Sequence, residues 1–421
     1  MIFFRVTQNI NVKTTDGTLV NYNRFKSPSN LENETIYITT YSDFNDISEI
    51  FAKVNKDIYF AKKFDEKKVR EIENFPIELG ISNIDEYEKR EELKTLDFLD
   101  VKKVDLYKQL KNIEKDVVSF AIIGGVGNTI SDIISSCTAL GILHKKLKEI
   151  YTNIKFDIYI NASNNSFYTR DKEIYQTQKY IDNVFPLSLN VKKLCEYDYF
   201  FDNSIELDKF SEYPLNIVDR WLFKFGIDYK KIDNNEKYNQ LDISDYKVSP
   251  NLIKIINELK LKGKLLLFHP YSSSIHKSIP QSIAIDLLKD LLNKNEDCIV
   301  VSTLQIDSRI KESNYFDLSK ESKKLNDFIY IISQMDKIIT ADTSTYHISD
   351  VFMIPTVVIF TQEDFEKKIQ YYKYVKPIYI KDKSKNLSKF IYENDELTIY
   401  KLESWKKLKI NQIIKLLDKF W

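Results

Sequence analysis

Val117-Val118-Ser119-Phe120-Ala121-Ile122-Ile123-Gly124-Gly125-Val126-Gly127-Asn128 is the stretch that decides the fold. Its first seven residues form a nearly continuous apolar run of strand length, and a glycine cluster follows. The chain has only eight glycines, so three within four positions mark backbone that must turn tightly or approach something closely. Beyond the cluster, Thr129 to Lys148 reads as a helix with Ile130, Ile133, Ile134 and Leu140 on an apolar side, and Phe156–Ile160 reads as the next strand. A strand, turn, helix and strand in this order imply a parallel sheet. Such a turn suits an anion or ligand at the helix N-terminus, where backbone N–H groups point outward. It suits equally a turn that only lets helix and strand pack closely. Ile130 stands where the third glycine of G-x-G-x-x-G would fall, which argues against a dinucleotide cofactor.

A second unit of the same kind begins after Gly263. Lys264–Phe268, Cys298–Val301, Lys337–Thr340 and Thr356–Phe360 read as strands. Ser282–Asn293, Leu325–Gln334 and Thr345–Phe352 read as the helices between them, with Pro280 at a helix start. The sequence therefore predicts an α/β protein of two Rossmann-like, doubly wound halves, 116–245 and 250–400. The polar stretch Asn234–Val248 is the expected linker. Leu402 to Trp421 carries Ile410, Ile413, Ile414 and Leu417 on one helical stripe, which reads as core-packing.

Residues 1–115 read as a separate α/β extension without an assigned role. Ile36–Thr40 and Asp57–Ala61 look like strands around a helical Phe44–Val54. Asp65–Asn74 and Ile84–Leu110 are highly charged with helical spacing, and Glu86–Lys94 reads as a solvated face.

Composition bounds the function. At 421 residues, with 43% hydrophobic and 29% charged residues, the chain supports more than one core under a well-solvated surface. Lys+Arg and Asp+Glu are both 62, and zero net charge argues against a nucleic-acid partner. Cys137, Cys195 and Cys298 are far apart and lack C-x-x-C spacing, so three reduced thiols in a reducing compartment are expected. The N-terminus reads without a signal peptide, and no apolar run approaches the roughly 20 residues of a membrane helix. The expectation is a cytoplasmic protein, with peripheral membrane contact left open.

Two loops carry the polar chemistry of the second half. His269-Pro270-Tyr271-Ser272-Ser273-Ser274-Ile275-His276-Lys277 sets three hydroxyls and a lysine just past a strand, where they can bind diphosphate oxygens. A solvated loop would look similar. Asp342-Thr343-Ser344-Thr345-Tyr346-His347 joins a strand to a helix. N-capping accounts for one of its hydroxyls. It does not account for a carboxylate and a histidine one turn in. Three of the four histidines, His269, His276 and His347, fall in these two segments. No Ser–His–Asp order, metal-ligand spacing or Walker lysine loop is present.

Leu266–Pro280 and Ile338–Phe360 resemble the C-terminal half of glycosyltransferase family 9, the lipopolysaccharide heptosyltransferases. The family shows H-P-G-A/S-S…K-x-W-P, then D-T/S-G-x-x-H followed by P-T-x-x-x-F. Here stand His269-Pro270-Tyr271-Ser272-Ser273, Lys277-Ser278-Ile279-Pro280, Asp342-Thr343-Ser344-Thr345-Tyr346-His347 and Pro355-Thr356-Val357-Val358-Ile359-Phe360. The glycine turn of Gly124, Gly125, Gly127 and Asn128 resembles the family's acceptor-side loop. The resemblance covers 117–421, unevenly. It implies a GT-B fold, a nucleotide-sugar donor, a glycan or lipid-linked acceptor, and neither metal nor cofactor. Carried over, Ser272, Ser273 and Lys277 would contact the donor diphosphate, and Asp342, Thr343, Ser344 and His347 would hold phosphates and sugar. Asp307 is a further candidate, for the ribose, and the terminal helix, 401–421, would cross back to the N-terminal half.

The departures lie at chemical positions. Tyr271 and Ser344 replace glycines, and Ser278-Ile279 replaces a pair ending in tryptophan. Asn128 stands where the family has the aspartate that deprotonates the acceptor, and an amide cannot act as a general base. Asp132, one helical turn on, is the candidate substitute. The expected function is an inverting, metal-independent glycosyltransferase of surface glycan biosynthesis. The competing readings are a non-catalytic GT-B protein that binds nucleotide sugar or a partner, and a sugar-nucleotide epimerase that needs no acceptor.

Overall fold

The computed structural model describes residues 2–6, 8–24, 32–39, 58–60, 106–162, 165–203, 215–294, 298–381 and 404–420. The helix expected at Phe44–Val54 and the charged stretches Asp65–Asn74 and Glu86–Lys94 lie outside these residues. The chain divides into two compact units, Met1–Glu236 and Lys237–Trp421, with the break inside the polar stretch Asn234–Val248.

The first unit opens with β1 (Ile2–Val6), β2 (Ile10–Lys13), β3 (Leu19–Tyr22), β4 (Tyr37–Thr39) and β5 (Ile58–Phe60). β2 and β3 alternate buried and exposed residues, so the hairpin buries Ile10, Val12, Val20 and Tyr22 against Phe4 and Tyr37. There follow β6 (Val117–Ile123), α1 (Ile130–Lys148), β7 (Asn153–Ile160), α2 (Tyr168–Gln176), β8 (Asn183–Pro186), β9 (Leu189–Asn190), β10 (Tyr199–Asp202) and α3 (Ile217–Lys224). β6, β7, β8 and β10 form a parallel sheet in the order β10-β6-β7-β8. The order reverses between β6 and β10. The glycine turn leaves the carboxyl end of β6 at this switch point, the place where open α/β sheets bind ligands.

The N-terminal strands are not a free-standing layer. β9 pairs antiparallel with β4, completing the sheet β5-β1-β4-β9. Ile36 and Ile38 share one core with Ala121, Ile123, Leu189 and Val191. The sequence expectation of a separate extension missed β9, because two residues carry no readable periodicity.

The second unit contains α4 (Pro250–Lys260), β11 (Lys264–His269), α5 (Gln281–Lys294), β12 (Cys298–Ser302), β13 (Tyr315–Asp317), α6 (Leu325–Ser333), β14 (Lys337–Ala341), α7 (Ser344–Val351), β15 (Thr356–Phe360), β16 (Val375–Tyr379) and α8 (Ile410–Asp418). Among the described residues its sheet has six strands, all parallel, in the order β13-β12-β11-β14-β15-β16. This is the strand order 3-2-1-4-5-6 of a nucleotide-binding Rossmann sheet, with its switch point between β11 and β14. The strands read as continuous apolar runs because both faces are covered. Leu265 to Phe268 and Val357 to Phe360 are buried throughout.

α8 packs within the second unit. Its stripe of Ile410, Ile413 and Leu417, with Trp405 and Leu408, lies in one core with Leu266, Leu288, Val357 and Ile359 of the second unit. Lys294 donates to Asn411 at 2.9 Å, and Lys337 pairs with Asp418 at 3.1 Å. The helix therefore helps to close the core of the second unit. No helix among the described residues is long and apolar enough to cross a membrane. All three cysteines are free.

Candidate functional site

In the second unit, the loops leaving β11 and β14 carry the two motifs. These strands are neighbours, with His269 opposite Thr340 in register. Register alone therefore brings the Ser272–Lys277 loop and the Asp342–Ser344 turn to the same sheet edge, beside the switch point. The Asp342 carboxylate is buried, and Lys277 Nζ lies 3.5 Å from it. Lys368, from the segment after β15, approaches the same oxygen at 3.3 Å and donates to Gln362 at 2.7 Å. The buried Tyr346 hydroxyl also hydrogen-bonds the carboxylate. One carboxylate thus holds two ammonium groups together, and Lys368 also pairs with Asp364 at 3.4 Å.

His347 stands within electrostatic range of Asp342, Lys368 and Lys277. Burial is the largest influence on it and drives its pKa down to about 3, so the ring is neutral at ordinary pH. Its Nδ1 shares a 2.5 Å hydrogen bond with the Tyr372 hydroxyl, which also accepts from Asn239 at 2.9 Å. Thr343 is the N-cap of α7 and accepts from the Thr345 amide at 3.1 Å. Ser344 is half-buried in the first turn.

The serine loop is shaped by Ser278, which the motif reading passed over. Its hydroxyl accepts from the Ser272 amide at 2.9 Å and donates within the loop, to Ser274 O at 2.9 Å. Thr361, just past β15, donates to the His276 carbonyl at 2.8 Å and ties the loop to the sheet edge. Ser272 is half-buried and Ser273 exposed. His269 is buried, bonded through Nδ1 to the Thr303 hydroxyl at 2.7 Å, and burial drives its pKa down to about 4.

Asp307 stands differently from the other expected donor-side residues. Arg309 takes up its carboxylate, with contacts of 2.7 Å and 3.0 Å, and the Arg309 amide donates to it at 2.9 Å. A side chain already spent on its own turn is a weak ribose ligand. Lys368 is the functional candidate that the sequence did not announce. It lies outside both motifs, in a chain where Lys+Arg number 62.

In the first unit, all three glycines of the turn have positive φ: 98° at Gly124, 72° at Gly125 and 145° at Gly127. The turn is a conformation L side chains avoid, and at Gly127 there is no room for one. A Cβ at Gly127 would meet the Ile133 amide nitrogen at 2.8 Å. The buried Tyr175 hydroxyl accepts from the Val126 amide at 2.8 Å, and Asn203 at the end of β10 donates to the Gly125 carbonyl. Asn128 is exposed. Asp132 has a bland occupation. Its carboxylate accepts from the Thr129 hydroxyl at 2.7 Å, and its amide donates back to Thr129 at 3.2 Å, a reciprocal N-cap arrangement. The glycine turn and the two donor-side loops belong to different units. Among the described residues, no three His, Cys, Asp or Glu side chains gather as a metal site.

No family model matches the sequence. No curated protein matches it either. Solved structures do. The chain is similar to ADP-heptose lipopolysaccharide heptosyltransferase II of E. coli, with a TM-score of 0.50 and 13% identity, over 72% of this chain and 98% of that one. It is similar to a glycosyltransferase family 9 protein of Veillonella parvula, with a TM-score of 0.50 and 12% identity, over 73% and 99% of the two chains. At these identities the likeness defines a fold, and that fold is GT-B, with two Rossmann-like domains.

Proposed function

We propose that the chain is a glycosyltransferase that moves a sugar from a nucleotide-sugar donor to a hydroxyl of a glycan or lipid-linked glycan, with inversion and without a metal. The observation that carries this reading is the pair of ammonium groups of Lys277 and Lys368 at the switch point of the second sheet. A leaving nucleoside diphosphate develops negative charge as the sugar departs, and fixed positive groups at that place stabilise it. Lysines can take the part that a metal plays elsewhere. Ser272, Ser273, Thr343 and Ser344 supply hydroxyls and amides at the same edge. Asp342 then has a different task from phosphate contact, because two anions repel. It holds the lysines in place. His347, neutral and bonded to Tyr372, seats α7 behind them. The similarity to an ADP-heptose transferase makes an adenosine diphosphate sugar the first donor to try. The acceptor side belongs to the glycine turn of the first unit. Three free thiols fit a cytoplasmic protein, and a lipid-linked acceptor would bring it to the membrane surface.

A specific observation favours a second reading, a GT-B protein that binds nucleotide sugar without turnover. Asn128 cannot serve as a base, and Asp132 is occupied as a cap. The test of both is a screen of ADP, UDP and GDP and their sugars for a dose-dependent rise in melting temperature. The wild type should respond to one base, and Lys277→Ala should lose the response. A wild type that responds to none would remove the donor site from both readings. A response without nucleoside diphosphate release would select the second.

A further inference from the structure

Building on the glycosyltransferase reading, we propose that Asp171 is the general base that deprotonates the acceptor hydroxyl, in the place that Asn128 cannot fill.

The geometry starts from the sheet edge. The glycine turn follows β6 and the segment leading into α2 follows the neighbouring strand β7, so both lie at the carboxyl end of the same parallel sheet. Arg170 joins them. Its Nη2 donates to the Asn128 carbonyl at 3.2 Å, and its Nε donates to Asp171 at 2.7 Å. The carboxylate is therefore tied, through one guanidinium, to the residue that occupies the family's base position. Tyr175, one turn further along α2, makes a second tie through the Val126 amide, and it senses the charges of both Asp171 and Asp132. Two carboxylates thus address the turn. Asp132 is committed to capping α1. Asp171 pairs with its guanidinium neighbour and keeps a side-chain exposure of 13%, enough for one small group to reach it.

The chemistry suits the task. Burial is the larger influence on Asp171 and outweighs Arg170, raising its pKa from 3.8 to about 6. A carboxylate of this strength is ionised at pH 7 yet accepts a proton far more readily than an exposed aspartate. Arg170 is the charged group paired with it, and Tyr175 on the same helix senses its charge. Lys172 of α2 is turned to Asp16 of the β2–β3 hairpin, 2.7 Å away. In the step, Asp171 takes the proton of the acceptor O–H. The oxygen bonds to the anomeric carbon. The bond from that carbon to the diphosphate oxygen breaks, and the nucleoside diphosphate leaves with the electron pair. No oxidant, reductant or metal enters the balance.

The test uses the full chain and water as acceptor, so that the natural acceptor need not be known. Nucleoside diphosphate release is followed across pH 5 to 9, with whichever of the ADP, UDP and GDP sugars raises the melting temperature. Asp171→Asn should keep nucleotide binding, lose release roughly 100-fold or more, and lose the acid limb that the wild type shows near its carboxyl pKa. Asp132→Asn tests the competing assignment, and Lys172→Ala, whose side chain is turned to Asp16, is the control and should stay within a few-fold. Release and acid limb unchanged in Asp171→Asn, with nucleotide still bound, would overturn the base assignment and leave the donor site standing. Loss in Asp132→Asn alone, or nucleotide binding without any release by the wild type, would overturn it as well. Failure of every nucleotide to bind would overturn the donor-site reading and this inference with it. A melting temperature of Asp171→Asn without nucleotide close to the wild-type value separates lost chemistry from lost folding.

Discussion

Lys368 Nζ and the Asp342 carboxylate stand 3.3 Å apart although 26 residues separate them in the chain. The pair forms because β14 and β15 are adjacent and parallel, so whatever follows each strand emerges at one edge. Asp342 is buried and already faces Lys277, so Lys368 is held beside a second ammonium group with one carboxylate between them. Asp364, the other carboxylate partner of Lys368, is largely exposed, so an arriving phosphate competes with it for the ammonium group.

Removal of Lys368 should therefore weaken nucleotide binding more than it weakens the fold. A hydrogen bond to a charged group contributes about 1.5–3 kcal/mol, which is roughly a 10- to 100-fold loss of affinity in Lys368→Ala. The measurement is the dose dependence of the melting temperature on nucleoside diphosphate. An unchanged dose curve would leave Lys368 a mere partner of Asp342 and Asp364.

The buried histidines set the acid limit of stability. His269 and His347 have native pKa values of about 4 and 3 against 6.5 for the free side chain. Between pH 6.5 and 4 the unfolded chain binds protons that the native chain refuses, so stability falls as pH falls through this window. The loss is about 2 kcal/mol per histidine at pH 5. His347→Asn should be less stable at pH 7 but lose less on going to pH 5, as read from urea midpoints. Parallel pH profiles of variant and wild type would refute the assignment.

Asp350 has the opposite sign. Burial raises its pKa to about 7, against the pull of the Lys373 and Tyr374 amides. The native state holds its proton where the unfolded state releases it, so this group lowers stability as pH rises from about 4 to 7. Asp350→Asn removes the ionisation. The variant should gain on the wild type from pH 5 to pH 8, by on the order of a few degrees of melting temperature. A constant difference across that range would mean that Asp350 stays charged in the fold.

The C-terminal helix tests a different boundary. Trp405 is fully buried in the core that α8 closes with Leu266, Val357 and Ile359. Trp405→Ala should cost about 3–5 kcal/mol and lower the unfolding midpoint of the second unit. Preserved stability would mean that Trp405 and α8 are not what closes this core.

These cases show which parts of the molecule a sequence declares. Strands buried on both faces declare themselves, and Val117–Ile123 and Thr356–Phe360 have in the structure the bounds read from the apolar runs. Motif loops that follow such strands are readable too, since strand order alone brings Lys277 and Asp342 to one edge. Short strands are not. β9 has two residues and β13 three, and the attachment of the N-terminal strands depends on the first of these. An amphipathic helix such as α8 states that it buries one face without naming the partner. Lys368 and Ser278 were silent because their roles depend on neighbours distant in sequence, and residue type alone does not single out one lysine or serine among many.

The glycine turn allows the sharpest structural prediction. Gly127 has φ 145°, and a Cβ there would stand 2.8 Å from the Ile133 nitrogen and 2.9 Å from the Asp132 carbonyl carbon. Both are backbone atoms of the first turn of α1, so no side-chain rotation relieves the clash. Gly127→Ala must either distort the turn or push α1 away from it. Backbone strain of this kind costs about 1–3 kcal/mol, and the steric overlap adds to it. At Gly125 the near atoms are the Tyr175 hydroxyl at 3.1 Å and Ile160 Cγ2 at 3.2 Å, both side-chain atoms that can yield. Gly125→Ala keeps the strain of a positive φ but has an escape from the overlap. The order of damage should therefore be Gly127→Ala above Gly125→Ala, read as loss of unfolding free energy. If the two substitutions cost the same, the close packing of α1 on the turn is not what the glycine at 127 protects.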